Sequence, residues 1–155
     1  RFQRQTTFKI YLTNPSLRCA LFEPVKIIDG NIGDMIETAI YSQWIPRNNH
    51  ITYANWKVGR TQGEVDLVGI NDAFQKPYWA VEIKWTDRFF DRPTELSSLK
   101  YFMEKNQLQQ ALVTSISQAG LKETSFGRLL FIPSACYAYT VGENTLRQAK
   151  KSFGL

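Results

Sequence analysis

Three charged residues with a spacing suited to chemistry lie in two neighbouring apolar stretches of the chain. Asp66 belongs to "EVDLVGI" (64–70), and Glu82 and Lys84 belong to "YWAVEIKW" (78–85). Side chains alternate between the two faces of a strand, so Glu82 and Lys84 point the same way. The opposite face carries the bulky apolar residues Trp79, Val81, Ile83 and Trp85. If the two strands pair with their charged faces matched, Asp66 approaches both Glu82 and Lys84.

Two adjacent carboxylates repel each other when both are ionised, so such a pair is typical of a place where a cation neutralises it. Oxygen ligands favour a hard cation, Mg²⁺ or Mn²⁺. Such an ion polarises a phosphate oxygen and lowers the pKa of bound water. Lys84 beside it is suited to orient water or to stabilise negative charge on the phosphate. Together, Asp66, Glu82 and Lys84 indicate phosphodiester hydrolysis.

A third acid for this group is Glu37, on a predicted helix with an apolar side. Alternation in "EVDLVGI" places Glu64, Asp66, Val68 and Ile70 on one face, with Glu64 at the strand end. Each of these assignments has an ordinary alternative. Glu82 and Lys84 could form a surface ion pair of little energetic weight, and Glu37 could be a solvated helix residue.

The elements that must position these residues can be read from periodicity. "NIGDMIETAIYSQW" (31–44) has helical spacing, with Ile32, Met35, Ile36, Ala39 and Ile40 on its apolar side. Asn14 and Pro15 predict the start of a short helix ending near Phe22. A second long helix is predicted after Thr94 as its cap, with Leu96, Leu99, Phe102 and Met103 as its apolar side. Strands are predicted at 8–12, 51–57, 64–70, 78–85, 111–116, 129–133 and 136–141, with a closing helix at 143–153. This order predicts an α/β domain with a mixed central sheet flanked by helices.

Composition narrows the function classes. The chain has 155 residues and a formal net charge of +5, which is compatible with a polyanionic partner such as DNA. Basic residues in and after the central hairpin that could meet phosphates are Lys57, Arg60, Arg88 and Lys100, with Arg92 between the last two. Each of them could equally be solvated surface charge. Three tryptophans, Trp56, Trp79 and Trp85, are expected to pack in the core rather than to stack on bases.

Other chemistries find little support. His50 is the only histidine, which disfavours a histidine base or a zinc site built on several histidines. Cys19 and Cys136 match no metal or redox spacing. No apolar run approaches the roughly 20 residues needed to span a bilayer, so a soluble, cytoplasmic protein without a membrane partner is expected. Because the chain begins at Arg1 rather than Met, we expect it to be a fragment of a longer protein.

Asp66 followed by Glu82-Ile83-Lys84 after a short hairpin join resembles the PD-(D/E)XK nuclease superfamily. Here Val65 replaces the proline of that pattern. The resemblance implies the restriction-endonuclease-like fold, with an αβββαβ core. It further implies Asp66 and Glu82 as metal ligands, Lys84 as the catalytic lysine, Glu37 as the acid of the first core helix, and Mg²⁺ or Mn²⁺ as cofactor.

A closer resemblance joins "KIYLTNPSLRCALF", "IGDMIETAIYSQW", "EVDLVGI" and "AVEIKW". Together these stretches resemble the uncharacterised C-terminal domain of prokaryotic AAA+-type ATPases, from about Phe8 to about Val141. The resemblance implies that residues 1–155 form one nuclease-like domain and that an ATPase domain precedes it. No Walker motif occurs in this chain.

Two functions remain open from the sequence. One is a Mg²⁺-dependent DNA nuclease. The other is a catalytically idle module that binds DNA or a protein and regulates the ATPase, since this fold also has roles other than cleavage.

Overall fold

The structure, a computed structural model, describes residues 9–22, 24–26, 30–46, 51–59 and 61–153. Its helices and strands, in chain order, are α1 (Pro15–Leu21), α2 (Ile32–Trp44), β1 (Ile51–Val58), β2 (Thr61–Asn71), β3 (Lys76–Glu82), α3 (Arg88–Asp91), a 3-10 turn (Pro93–Glu95), α4 (Ser97–Asn106), β4 (Gln110–Ser115), β5 (Gly120–Thr124), β6 (Gly127–Pro133) and α5 (Ser134–Phe153). Within the described residues, no helix combines the length and the apolar character that crossing a membrane requires.

The strands form one six-stranded mixed sheet in the order β1-β2-β3-β4-β6-β5. β1, β2 and β3 are antiparallel neighbours, whereas β4 runs parallel to both β3 and β6. The predicted α/β class with a mixed central sheet flanked by helices is therefore confirmed. The join from β3 to β4 contains α4, as parallel pairing requires, because a tight turn cannot return the chain in the same direction.

Apolar side chains cover both faces of the sheet. On one face α4 places Leu99, Phe102 and Met103 against Val65 and Val68 of β2. The opposite face is covered by α2 and α5, in a cluster made of Ile40, Trp44, Leu67, Val81, Ile83, Tyr137 and Val141. Coverage on both faces explains why the predicted strand at 78–85 is so rich in bulky apolar residues.

Several predicted elements are confirmed and others are wrong. The helix after Asn14 is confirmed, with the Asn14 side chain accepting a hydrogen bond from the Ser16 N–H, and α2 begins and ends within one residue of its prediction. Thr94 does not cap α4, because Pro93 opens a 3-10 turn first and α4 begins at Ser97. Of the strand predicted at 8–12, Phe8 lies outside the described residues, and Lys9 to Leu12 form no regular structure.

Two errors lie in the C-terminal third. The stretch at 136–141 is not a strand but part of α5, a 20-residue helix that buries Tyr137 and Val141 four residues apart. Its aromatic and β-branched composition resembles that of a strand, and tertiary packing overrides that propensity. The edge strand β5 was not predicted, because "GLKET" is short and lacks a run of β-forming residues.

The tryptophans with described ring contacts pack against protein, as predicted. Trp56 stacks on Tyr101 and Phe102, and Trp79 stacks on Trp44 with ring centroids 5.3 Å apart. The Trp79 indole also lies over Gly69, its cross-strand partner on β2. A glycine in a strand thus leaves room for a neighbouring aromatic ring.

Gly69→Ala tests this packing, since a Cβ at Gly69 would overlap the indole of Trp79. We expect the substitution to lower the free energy of unfolding by roughly 2 kcal/mol, because the ring must leave its position. Urea unfolding followed by tryptophan fluorescence measures it. Gly33→Ala on α2 is the control, since nothing lies within 4 Å of a Cβ there. Equal stability of the two variants would contradict the packing.

Candidate functional site

Asp66 lies at an irregularity in β2. The register pairs Ala54 with Val65 and Thr52 with Val68, so Tyr53 alone of β1 faces both Asp66 and Leu67 of β2. This β-bulge changes the alternation. Val65 and Val68 both pack on the α4 side, whereas Leu67 packs on the α2 side. The prediction that Asp66, Val68 and Ile70 continue one face is therefore wrong, because a bulge inserts one residue into the strand and re-aims a side chain.

Glu82 is the last residue of β3 and faces the same region as Asp66. Leu67 pairs with Val81, so Asp66 and Glu82 are the next residues along this antiparallel pair. Both are 5% exposed. The Oδ2 atom of Asp66 accepts a hydrogen bond of 2.8 Å from the Ile83 N–H, which ties the bulge to the end of β3. The register thus brings the two predicted acids to one buried place.

Lys84 follows the strand and is held by two hydroxyl side chains. Its N–H donates to Thr114 Oγ1 at 2.8 Å, and that hydroxyl donates back to the Lys84 carbonyl at 3.0 Å. Ser134, the first residue of α5, donates to the same carbonyl at 3.3 Å and to the Ser115 carbonyl at 2.9 Å. The Lys84 Nζ then reaches Glu82 Oε1 at 2.7 Å. β3 was predicted to extend to Trp85, but side chains of β4 and α5 replace its ladder after Glu82.

Lys9 is a member of the site that the sequence did not reveal. Its Nζ lies 2.8 Å from Glu37 Oε1, 3.1 Å from Glu64 Oε1 and 3.3 Å from Asp66 Oδ1. The Tyr11 hydroxyl donates a short hydrogen bond to the same Glu37 oxygen. The structure thus brings the predicted Glu37 to Asp66 through a shared ammonium. It also brings in Glu64, which was expected to be only a strand end.

The signals for these additional residues are weak in the sequence. Lys9 and Tyr11 are separated by one residue in a stretch that resembles a strand, and nothing there indicates a partner 57 residues away. Thr114 and Ser134 are fully buried polar residues at a strand end and a helix start. A threonine within the apolar run "ALVTSI" is the one local sign of such a role.

Burial dominates the electrostatics of the acids. Desolvation, followed by the charge of Asp66, raises the pKa of Glu82 to about 7, and the ion pair with Lys84 opposes this without cancelling it. Desolvation and then the charge of Glu37 raise the pKa of Asp66, although Lys84 and the Ile83 N–H lower it. The two acids therefore lie in surroundings that disfavour two negative charges.

The pKa values of Lys84 and Lys9 shift in the opposite direction to the one that burial alone would cause. At Lys84 desolvation lowers the pKa, but the charges of Glu82 and Asp66 outweigh it and the pKa is raised. Both partners of the Glu82–Lys84 pair thus shift upward, because burial prevails at Glu82 and the acids prevail at Lys84. At Lys9 desolvation is outweighed by the hydrogen bond to Glu37 and by the charges of Asp66 and Glu37, so its pKa is raised too. Both ammonium groups remain charged at neutral pH.

The donor set fits a small hard cation at Asp66 and Glu82. The Glu82 Oε2 atom is buried and has no hydrogen-bond partner among the described residues. A buried carboxylate oxygen normally has a partner, so this atom is available to a cation. Mg²⁺ is usually held by one or two carboxylates together with water and substrate oxygens. In the described ranges no group of three or more His, Cys, Asp or Glu side chains is arranged to hold a metal ion. The predicted third acid, Glu37, is engaged by Lys9 and Tyr11.

The predicted DNA-contacting residues are spread over several elements. Lys57 lines an open cleft of about 680 Å³, and Glu64 lines it too. The other lining residues are Asn55, Trp56, Gln62, Gly63 and Ser98. Arg88 on α3 pairs with Glu95 at 2.5 Å, and Lys100 on α4 lies 4.0 Å from Glu104. Arg92 lies 3.6 Å from Glu95. Arg60 lies outside the described residues.

A separate cavity of about 420 Å³ lies between α5 and the β4–β6 region. Its lining is mainly apolar, with Trp44, Trp79 and Leu130 among the contributors, and it contains none of the predicted site residues. The cavity is therefore separate from the acidic site.

Comparisons with known proteins identify no family for this chain. No protein-family model matches the chain, and neither a curated protein nor a solved structure matches it.

Stability in metal-free buffer should report the burial of Glu82. Its pKa is about 7 in the folded chain against an ordinary value of 4.5, so the folded state binds more protons between these values. The contribution of Glu82 to stability is thus complete below pH 4.5 and is lost as the pH rises through 7. Glu82→Gln cannot ionise, so we expect it to exceed the wild type in free energy of unfolding by roughly 2 kcal/mol at pH 8.

Urea unfolding at pH 5 and pH 8 in EDTA measures this difference, which should shrink at the lower pH. Glu104→Gln is the control, because Glu104 is exposed on α4 and its side chain is 54% accessible. A Glu82→Gln variant whose stability changes with pH in parallel with the wild type would contradict the burial of a charged Glu82.

Proposed function

We propose that this domain is a divalent-metal-dependent nuclease that hydrolyses phosphodiester bonds in DNA. The observation that carries the proposal is the meeting of Asp66, at the bulge within β2, with Glu82 and Lys84, at and just beyond the end of β3. One buried Glu82 oxygen has no hydrogen-bond partner among the described residues. Three residues chosen from spacing alone come together from positions up to 18 residues apart.

The finer fold assignment is part of this proposal. The succession α2, β1, β2, β3, α4, β4 agrees with the αβββαβ core that the resemblance implies. The site lies at the end of β3 and beside the bulge within β2, where β4 joins β3 in parallel. We propose on this basis a restriction-endonuclease-like topology. The resemblance in sequence, and not the topology, is what supports an ATPase domain as the proposed partner.

The residues of the site have distinct parts in the proposed reaction. Asp66 and Glu82 would hold Mg²⁺ or Mn²⁺, and when bound this ion supplies positive charge that polarises a phosphate oxygen and makes water more acidic. Lys84 stays protonated and is suited to stabilise negative charge developing on the phosphate. Thr114 and Ser134 hold the Lys84 backbone, which limits where its ammonium can reach. Lys57 lines the cleft that also includes Glu64, and there it would meet the DNA backbone.

A second function is favoured by one specific observation. The ammonium of Lys9 already contacts Glu37, Glu64 and Asp66, so a side chain of the folded chain offsets part of their negative charge without a metal ion. This arrangement suits a module that binds DNA or a protein without cutting. Such a module would bind DNA equally well in EDTA and would tolerate Asp66→Asn.

Metal binding is the first test of the nuclease. We expect titration of Mn²⁺ into the chain to show saturable binding by calorimetry that Asp66→Asn and Glu82→Gln abolish and Glu104→Gln preserves. Removing one carboxylate leaves the ion with half of its protein ligands, which accounts for the loss. Absence of Mn²⁺ binding at millimolar concentration would rule out the nuclease and leave the binding module.

Cleavage is the second part of the same test. With Mg²⁺ or Mn²⁺ and supercoiled plasmid, we expect Lys84→Ala to reduce nicking by roughly 100-fold while Mn²⁺ binding remains, because the lysine acts on the phosphate. Lys150→Ala, on the exposed end of α5, is the control for loss of one positive charge. Nicking by Lys84→Ala at the wild-type rate would show that the activity arises elsewhere.

A further inference from the structure

The position of Lys9 has a consequence for how a cation enters the site. Its Nζ lies 3.3 Å from Asp66 Oδ1, one of the two carboxylates proposed to hold the metal. The same ammonium contacts Glu37 and Glu64, so it is the positive charge around which three acids from α2 and β2 gather. Lys84 is engaged separately with Glu82. A divalent ion at Asp66 would therefore share its ligand with an existing cation.

Two positive charges a few ångströms apart repel strongly in partly buried surroundings. The Lys9 side chain is 23% exposed, so water reaches one side of it and its four-carbon stem can withdraw. The Tyr53 ring already lies 5.8 Å from Nζ, and this contact does not depend on Asp66. Lys9 can thus leave Asp66 without unfolding of the sheet.

Tyr11 keeps this lysine close to the site. Its hydroxyl donates to Glu37, and its ring stacks on Tyr41 of α2 with centroids 3.9 Å apart. Because the chain is anchored two residues away, the ammonium is always available to return to the acids. A tethered group of this kind acts at a high effective concentration.

We propose that Lys9 is a built-in counter-cation that occupies the acidic site and that a divalent ion must displace from Asp66. This inference rests on the proposed metal site at Asp66 and Glu82. It makes the Lys9–Leu12 segment an autoinhibitory element that raises the divalent concentration needed for occupancy. It also reconciles the two functions above, since the lysine-filled form is stable without metal and the metal-filled form is competent for cleavage.

Two measurements on the 155-residue chain test this inference. The first is Mn²⁺ affinity by calorimetry for the wild type, Lys9→Met and Lys150→Met. Lys9→Met keeps an unbranched side chain, one atom shorter, but removes the competing charge, so we expect its Kd for Mn²⁺ to fall by roughly tenfold or more. Lys150→Met changes the net charge equally and should bind as the wild type does.

The second measurement needs no substitution. Acetylation of lysines in the wild type, followed by mass spectrometry, should modify Lys9 slowly in EDTA because its ammonium is held by three acids. Saturating Mn²⁺ should increase the Lys9 rate several-fold, roughly in proportion to its release, and leave the Lys150 rate unchanged. This arm remains informative if Lys9→Met does not fold.

The outcomes separate the inference from the proposed function. Mn²⁺ binding by the wild type with an unchanged Kd in Lys9→Met, or with an unchanged Lys9 acetylation rate, overturns the Lys9 inference alone. Weaker Mn²⁺ binding by Lys9→Met overturns it as well, since Lys9 would then support the metal. Absence of Mn²⁺ binding by the wild type and by Lys9→Met overturns the metal site and the inference together.

Discussion

Burial of two carboxylates on paired strands, one at a bulge within β2 and one at the end of β3, is the constraint on which the rest of this site depends. Asp66 and Glu82 are each 5% exposed, and an ionised carboxylate in such a place is unstable unless it is paired or hydrogen-bonded. Lys84 pairs with Glu82, and Lys9 and the Ile83 N–H contact Asp66. Burial also raises the pKa values of both acids. One Glu82 oxygen remains without a partner among the described residues, and this is where the compensation is incomplete.

The apolar layers make that burial possible. α4 covers one face of the sheet and α2 with α5 covers the other, so apolar side chains pack on both faces of the central strands beside the acids. At that point backbone pairing gives way to side-chain contacts. Beyond Glu82, hydrogen bonds of the Thr114 and Ser134 hydroxyls replace the backbone hydrogen bonds between β3 and β4, and they hold the Lys84 backbone. The polar site is therefore built where regular strand pairing ends.

Lys9 connects the proposed function with the regulation proposed for it. A site of several acids needs positive charge to fold, and a lysine of the same chain supplies it in the absence of metal. In the proposed mechanism, replacement of that lysine by a divalent ion would change the site from a structural ion pair to a reactive one. The proposed resting and metal-loaded forms would then differ in the position of the Lys9 side chain.

Much of the site could be predicted from local patterns, because residue type and strand alternation are properties of short segments. The sequence by itself determined the α/β class, the helix α2, the three strands of the central region and the grouping of Asp66, Glu82 and Lys84. Only the tertiary structure decided which other residues contact Asp66, Glu82 and Lys84. The β-bulge at Asp66 depends on pairing with β1, the clamp on Lys84 on β4 and α5, and the contact of Lys9 on the docking of a segment 57 residues away. These features arise from contacts between segments far apart in the chain, and no periodicity within one segment encodes them.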